Sequence, residues 1–174
     1  MYFTQEQLLE YLSNHQISYQ LYTHPQLFTC EQAMEIVKQL NMPGMGIKNL
    51  FLKDSKKKLY LIVATYNTRV DLKTVGKTLE AKELRFADAQ LLMQYLGVEP
   101  GSVTPLALIN DKDQIVQAII DANLLKQEYI QVHPLKNDAT VVITPADLIK
   151  FFGLSRRPYL VYDFDKNELI GSKI

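Results

Sequence analysis

Two segments of the sequence combine residue types that can bind an anion or stabilise a developing negative charge. Lys48 begins a run that is otherwise apolar, with Leu50, Phe51 and Leu52 behind it. Its ammonium group therefore either lies at an exposed strand end or is a fixed cation that points into a cleft. The second segment, at residues 101–105, reads Gly-Ser-Val-Thr-Pro.

The loop at residues 101–105 has the composition of a rigid turn. Gly101 allows close backbone approach and a positive φ, Pro105 stiffens the flank, and the loop's two hydroxyl groups come from Ser102 and Thr104. Such a turn can present several backbone N–H groups together, which is how a concave anion or oxyanion site is made. The same residues also suit a plain tight connection, and the sequence leaves both interpretations open.

Two further side chains are candidates for chemistry. His133 stands before a proline at a strand exit with Asn137 close by, where it either positions a substrate or caps the loop. Cys30 follows Thr29 in the first turn of a predicted helix, where the helix dipole favours a thiolate, and His24 is near in sequence. A lone cysteine is more commonly a small buried hydrophobic residue, so this nucleophile hypothesis has a structural alternative.

The spacing of residues excludes several other chemistries. Lys48 follows two glycines, but a strand comes after it where a nucleotide-binding loop would have a helix, and no Gly-x-Ser-x-Gly motif offers a serine nucleophile. The cysteine and the three histidines are not paired at the short spacings of zinc sites. We therefore expect no metal and no cofactor.

Length and composition limit the class of protein. The chain has 174 residues, of which 47% are hydrophobic, and its 19 basic side chains balance 19 acidic ones. One cysteine, no signal-peptide pattern and no apolar run of about 18 residues lead us to expect a single cytoplasmic domain over residues 1–174. A net charge of zero argues against a protein that binds a long stretch of duplex, but it is compatible with a transient contact to one end of a nucleic acid.

Local signals predict the secondary structure. Capping boxes, Thr4 with Gln7 and Thr29 with Gln32, each precede apolar residues at helical spacing. Further helices are predicted over residues 71–79, 88–96 and 145–152. Strands are predicted over residues 17–21, 47–53, 59–65, 84–87, 106–109, 115–120, 129–132, 140–144 and 158–164.

These elements favour a particular fold class. Two hairpins are expected, one turning at residues 54–57 with a lysine-rich polar tip and one turning at residues 110–113. The last strand is expected at a sheet edge. Helices scattered irregularly among hairpin-linked strands indicate an α+β fold with a mixed, largely antiparallel sheet and flanking helices.

Several segments, in this order, resemble a known family. They include Lys-Asn-Leu-Phe-Leu-Lys-Asp at 48–54, Gly-Val-Glu-Pro-Gly-Ser-Val-Thr-Pro at 97–105 and His-Pro-Leu-Lys-Asn at 133–137. Together they resemble the free-standing prolyl-tRNA editing proteins of the YbaK/ProX superfamily, which are related to the editing insertion of bacterial prolyl-tRNA synthetase. The likeness covers about residues 1–155 and is closest to the ProX branch, which removes alanine from mischarged tRNA for proline. Residues 153–174 are left as a C-terminal extension of unassigned role.

The resemblance implies a set of site residues. The family's strand-entry lysine matches Lys48, with Asn49 beside it, and its Gly-x-x-x-Pro loop matches residues 101–105. The histidine that shapes the amino-acid pocket in the family matches His133. Other residues expected at the substrate pocket are His24, Val132 and Pro105, and those expected to contact tRNA are Lys53 and Arg69.

The family implies an aminoacyl-tRNA deacylase, which is a carboxylic ester hydrolase. The ester is already activated, so the protein need only hold it, place a water and stabilise the oxyanion, and in the family the terminal ribose hydroxyl helps to orient that water. We expect Lys48 to anchor the terminal nucleotide or the ester, N–H groups at residues 101–104 to hold the carbonyl oxygen, and His133 to bound the pocket. The expected partners are the acceptor end of tRNA(Pro) and, transiently, prolyl-tRNA synthetase, with no membrane contact. We expect a monomer.

Three other functions stay open at this point. One is removal of cysteine rather than alanine from tRNA(Pro), the second is a catalytically silent module that binds an aminoacyl group or a nucleotide, and the third is a thiol hydrolase that uses Cys30. A size argument favours alanine, because a synthetase pocket built for proline rejects a smaller amino acid by only about 1–3 kcal/mol. A second, smaller pocket is then useful, and proline is excluded from it by bulk.

Overall fold

The computed structural model describes residues 1–173, apart from the side chain of Cys30. Five helices, α1 to α5, span Gln5–Asn14, Cys30–Gln39, Leu72–Thr78, Ala89–Leu96 and Pro145–Leu154. Nine strands, β1 to β9, span Gln20–Thr23, Met45–Lys53, Leu59–Thr65, Arg85–Phe86, Val116–Asp121, Ile130–Val132, Ala139–Ile143, Tyr159–Asp163 and Glu168–Lys173. Both predicted capping boxes are confirmed, since each threonine hydroxyl accepts from the N–H of the glutamine three residues on and each glutamine side chain accepts from the threonine N–H.

The strands form one mixed sheet in the order β1-β7-β6-β2-β3-β5-β8-β9, with β4 added beside β2. Three pairings are parallel, namely β2 with β6, β3 with β5 and β5 with β8, and the other five are antiparallel. The expected α+β fold with a mixed, largely antiparallel sheet is therefore confirmed. The β2–β3 hairpin that turns at residues 54–57 is confirmed as well.

Each face of the sheet carries its own hydrophobic cluster, because successive side chains of a strand point to opposite faces. In β2, Phe51 belongs to the larger cluster, together with residues of α1, α4 and α5, whereas Leu52 belongs to the smaller cluster, which includes Val75 of α3. β3 is buried along its whole length because both of its faces are covered. β2 and β3 are the two central strands in the order of the sheet.

The parallel ladder between β2 and β6 is short. It covers only residues 45–46 of β2 and 130–131 of β6. Beyond these residues the ladder stops, and β2 continues beside β3 while β6 continues beside β7. The loop at residues 101–105 contacts β2 next to this gap, because the side-chain N–H of Asn49 donates to the Val103 carbonyl at 2.9 Å.

The second expected hairpin, with a strand at residues 106–109, is wrong. This segment is a 3₁₀ helix, Pro105–Asn110, and β5 pairs with β3 and β8. A proline at the first helical position and the Thr104 hydroxyl, which accepts from the Leu106 N–H, start the helix. A short apolar run without alternation does not distinguish strand from helix, so these start signals decide the outcome.

The C-terminal segment differs from expectation in two respects. β8 is not an edge strand: it lies between β5 and β9, and β9, which was not predicted, occupies the edge. The last helix does not stop at Gly153 but continues to Leu154, since a glycine in a helix costs only about 1 kcal/mol. At the other end of the sheet, β1 begins at Gln20 rather than at Ile17.

A buried ion pair joins this C-terminal segment to the 3₁₀ helix. Arg157 donates to a carboxylate oxygen of Asp111 at 2.8 Å and to the Leu108 carbonyl at 2.9 Å. Both charged side chains are almost fully buried, and the Asp111 carboxylate also accepts from the N–H groups of Ile115 and Val116. The C-terminal segment is thereby fastened to the residues that follow the 101–105 loop.

We expect Arg157→Met to lower the free energy of unfolding by about 3–5 kcal/mol, because it leaves the Asp111 carboxylate buried without its charge partner. Urea denaturation followed by circular dichroism measures this change. Arg156→Met, at the exposed neighbouring position, is the matched control and should alter stability by no more than about 0.5 kcal/mol. Two variants of equal stability would contradict the role assigned to Arg157.

Candidate functional site

A cleft of about 580 Å³ lies beside the gap between β2 and β6. Lys48, Gly101 and His133, which come from three separate segments, all line this cleft. The strand register explains how two of them meet. Gly46 is paired with Gln131, so the residues two positions further along, Lys48 and His133, project from the same face of the sheet.

Lys48 is held by the turn that follows β3. Its Nζ donates to the Tyr66 carbonyl at 3.2 Å, and the Tyr66 N–H donates to the Gly46 carbonyl at 2.8 Å. Within residues 1–173, no carboxylate lies at ion-pair distance from this ammonium group. A carbonyl acceptor orients Lys48 without neutralising it, so its charge is available to an anion in the cleft.

A buried carboxylate organises that turn. Asp121, at the end of β5 and fully buried, accepts from the Thr65 N–H at 3.2 Å and from the Thr68 hydroxyl. The Thr68 N–H in turn donates to the Thr65 carbonyl. These bonds close residues 65–68 into a fixed turn, and the Tyr66 carbonyl that receives Lys48 lies within it.

Three of the expected site residues shape the glycine loop without lining the cleft. Asn49 bonds the Val103 carbonyl, and the fully buried Thr104 accepts from the first turn of the 3₁₀ helix. Ser102 is buried, and its N–H donates to the Glu99 carbonyl at 3.0 Å. The expected pocket residue Pro105 is also buried, as the first residue of the 3₁₀ helix.

Gly101 is the residue of this loop that reaches the cleft. Its φ is +89°, a backbone conformation that residues with a side chain rarely adopt. The N–H groups of Gly101 and Val103 donate to no acceptor among residues 1–173, unlike that of Ser102. The Gly101 N–H therefore has no acceptor among residues 1–173, and Gly101 lines the same cleft as Lys48.

His133 enters the cleft as a neutral ring. Its Nδ1 donates to the Ala139 carbonyl at 3.1 Å, which leaves Nε2 as an acceptor. Burial lowers the pKa of His133 below its usual value, and the hydrogen bond to the Ala139 carbonyl only partly opposes this effect.

Two expected pocket residues lie behind the cleft. His24 is buried, its Nδ1 donates to the Pro25 carbonyl at 2.8 Å, and its Nε2 accepts from the Thr140 hydroxyl at 2.9 Å. Thr140 lines the cleft in its place. Val132 is 2% exposed and belongs to the main core, because strand alternation points it away from the face that His133 occupies.

The two cations expected to contact tRNA lie in different surroundings. Lys53 is five residues from Lys48 and therefore on the opposite face of β2, where its Nζ forms an ion pair with Asp88 at 2.7 Å. Arg69 is exposed, three residues after the cleft residue Tyr66. Of the two, Arg69 is the one joined closely along the chain to the cleft.

Three further points concern the cysteine, metal binding and membrane-spanning helices. The side chain of Cys30 lies outside the described part of the chain, so its interpretation as a nucleophile stays a prediction. The described residues contain no group of three side chains placed to hold a metal ion. Within residues 1–173, no helix has both the length and the apolar composition to cross a membrane.

Sequence reasoning missed two parts of the cleft. The first is the apolar side of α2, formed by Ala33, Ile36 and Val37, which lines the cleft instead of packing into the core. Its helical spacing was visible, but the same spacing is typical of a helix that faces a core. The second is Tyr66, which holds Lys48 through its carbonyl group, and a backbone contact leaves no signal in the residue type.

The fold is shared with a solved structure, and the sequence matches a family model. A solved structure described as a candidate trans-editing enzyme for prolyl tRNA synthetase superposes with a TM-score of 0.69, covering 94% of this chain and 98% of that one at 18% identity, which shows a shared fold. Residues 24–151 match the family model of the aminoacyl-tRNA editing domain.

Two sequence relatives point the same way. Prolyl-tRNA synthetase associated domain-containing protein 1 of Danio rerio is 36% identical over 162 residues, covering 92% of this chain and 87% of the relative. The prolyl-tRNA editing protein ProX of Acetoanaerobium sticklandii is 37% identical over 135 residues, covering 77% and 81%. The chain belongs to the aminoacyl-tRNA editing domain family, and its resemblance to the prolyl-tRNA editing proteins is confirmed.

The lowered pKa of His133 has a consequence for stability. Below the unfolded-state pKa of about 6.5, the unfolded chain binds a proton at this position more readily than the folded chain does, so stability falls as the pH falls. His133→Gln cannot be protonated there and should lose less stability than the unaltered protein when the pH is lowered from about 7.5 to about 5. Urea denaturation at both pH values measures the difference. An equal loss in both proteins would show that His133 is not held in its neutral form.

Proposed function

We propose that this chain hydrolyses the ester bond of misacylated tRNA(Pro), with alanine as its preferred amino acid. The observation that carries the proposal is that Lys48, Gly101 and His133 line one cleft. Membership of the aminoacyl-tRNA editing domain family supports an aminoacyl-tRNA deacylase, and the relative named ProX, a prolyl-tRNA editing protein, supports tRNA(Pro) as the substrate.

In the proposed reaction, the water oxygen bonds to the carbonyl carbon of the ester, the bond from that carbon to the ribose oxygen breaks, and the ribose oxygen leaves as a hydroxyl with a proton from the water. Lys48 Nζ, oriented by the Tyr66 carbonyl, binds an oxygen of the terminal nucleotide or of the ester. The free N–H groups at the Gly101 turn stabilise the carbonyl oxygen as negative charge develops, an interaction that can contribute a factor of about 10² to 10³ in rate.

No protein side chain is required as a general base in this scheme. The ester is activated, and the neighbouring hydroxyl of the terminal ribose can orient the attacking water, as the family resemblance implies. His133 is neutral and partly exposed in the cleft, which suits a wall of the amino-acid pocket. Thr140, held by His24, completes that wall on the neighbouring strand.

The proposed partners follow from charge. The net charge of zero fits a contact confined to the acceptor end of tRNA(Pro), with Arg69 as the exposed cation nearest to Tyr66 along the chain. We further propose a monomer in the cytoplasm that meets prolyl-tRNA synthetase transiently. Editing after release from a synthetase requires no stable complex between the two proteins.

Lys48→Ala should lower kcat/KM for deacylation of Ala-tRNA(Pro) by about 100-fold or more. The substitution removes the positive charge that β2 places in the cleft. Its urea midpoint should stay close to that of the unaltered protein, because a partly exposed lysine contributes little to stability. Lys112→Ala, in an exposed turn away from the cleft, is the control. Unchanged turnover in Lys48→Ala would show that the site is wrongly placed.

Deacylation time courses with separately prepared Ala-tRNA(Pro), Cys-tRNA(Pro) and Pro-tRNA(Pro) test the substrate. We expect the alanyl ester to be hydrolysed fastest and the prolyl ester to be spared by its bulk. Faster loss of cysteine would assign the chain to the alternative specificity. Binding of charged tRNA without hydrolysis would make it a silent binding module, and loss of activity in Cys30→Ala would favour the thiol mechanism.

A further inference from the structure

Two aromatic rings lie at the cleft and are exposed to solvent. Phe28 is 77% exposed and Tyr66 is 48% exposed, and both line the cleft that contains Lys48. Single exposed apolar residues are common, but two aromatic rings beside a cation are the combination that single-stranded nucleic-acid sites use. The hydrolytic scheme above gives neither ring a role.

The backbone beneath each ring is fixed. The Phe28 N–H donates to Gln32 Oε1 at 2.8 Å, next to the capping box that starts α2. An apolar residue at this position often packs on the first turn of the helix, yet the Phe28 side chain stays exposed. Tyr66 is held through its N–H by Gly46 and through its carbonyl by Lys48. Rings on a fixed backbone lose little conformational freedom when they bind a ligand.

The cleft is also larger than an amino acid needs. Its volume of about 580 Å³ is within the range of pockets that enclose drug-sized ligands, whereas an alanyl group has only a handful of heavy atoms. The ester is attached to a ribose, so the next group that must be accommodated is the nucleoside that carries it. Exposed rings and unused volume therefore occur in the same cleft.

We propose that Phe28 and Tyr66 form a stacking site for the adenine base of the 3′-terminal adenosine of the tRNA. The inference rests on the proposed function, because it places the nucleoside whose ribose carries the ester. Stacking requires only the flat face of a base, and Lys48 supplies the positive charge that the adjacent phosphate requires. An apolar protein segment would cover the rings but would leave the ammonium group of Lys48 without an anion.

A fluorescence titration tests base binding without any ester. The protein contains no tryptophan, so Phe28→Trp introduces a single indole at the proposed site. Adenosine 5′-monophosphate should quench its emission saturably, and ribose 5-phosphate, which lacks the base, should not. Phe86→Trp, at a position on β4 that is 62% exposed and does not line the cleft, is the matched control. No saturable quenching in the Phe28→Trp variant, or equal quenching in both variants, would overturn the stacking site.

Kinetics test the same site during turnover. Phe28→Ala should raise KM for Ala-tRNA(Pro) by about 5- to 100-fold with little change in kcat, Phe28→Tyr should restore KM, and Phe86→Ala should not change it. Normal KM in Phe28→Ala, in a protein that does hydrolyse the ester, would reject the stacking site and leave the proposed function standing. Saturable quenching by the nucleotide in a protein that hydrolyses no ester would support the base site and reject the proposed function.

Discussion

The short parallel pairing of β2 with β6 is the constraint on which the candidate site depends. Two paired residues on each strand are enough to bring Lys48 and His133 to one face, and the end of the ladder leaves room for the glycine loop beside β2. The side chains of adjacent residues of β2 point to opposite faces of the sheet. Lys48 points into the cleft, while Asn49 points the other way and binds the Val103 carbonyl, so one strand fixes both the cation and the loop that lies beside it.

Two buried carboxylates support the two halves of this arrangement. Asp121 bonds the 65–68 turn, whose Tyr66 carbonyl orients Lys48. Asp111, paired with Arg157, anchors the end of the 3₁₀ helix whose start is fixed to the glycine loop. Buried charges of this kind are costly unless fully bonded, and each carboxylate here has three or more donors or a charge partner. The C-terminal segment thus contributes to the cleft through the fold, although none of its described residues lines it.

The parts of the fold that depend on neighbouring residues in the chain could be predicted from the sequence, whereas the parts that depend on pairing between distant segments could not. The capping boxes at Thr4 and Thr29 specify helix starts within four residues, and the β2–β3 hairpin follows from alternation and a polar turn. The interior place of β8 depends on which strands pair, which no short window of sequence contains. Residues 106–109 do carry a local helix start, Thr104 followed by Pro105, but their apolar run does not by itself distinguish a strand from a helix. The site divides in the same way: Lys48, Gly101 and His133 carry signals in their residue types, whereas the Tyr66 carbonyl carries none.

Two lysines of β2 differ in the partners that hold their ammonium groups. Lys48 begins the apolar run of β2 and Lys53 ends it, and the sequence makes both of them candidates for contact with the tRNA substrate. Lys53 is paired with Asp88, the carboxylate that also caps α4, and bonding to Lys53 and to the helix lowers the pKa of Asp88. An incoming phosphate would have to compete with that carboxylate. Lys48 has a neutral carbonyl group as its partner, so an anion can bind its ammonium group without displacing another anion. Because of this difference in partner, Lys53 has a structural role, whereas Lys48 can bind a ligand.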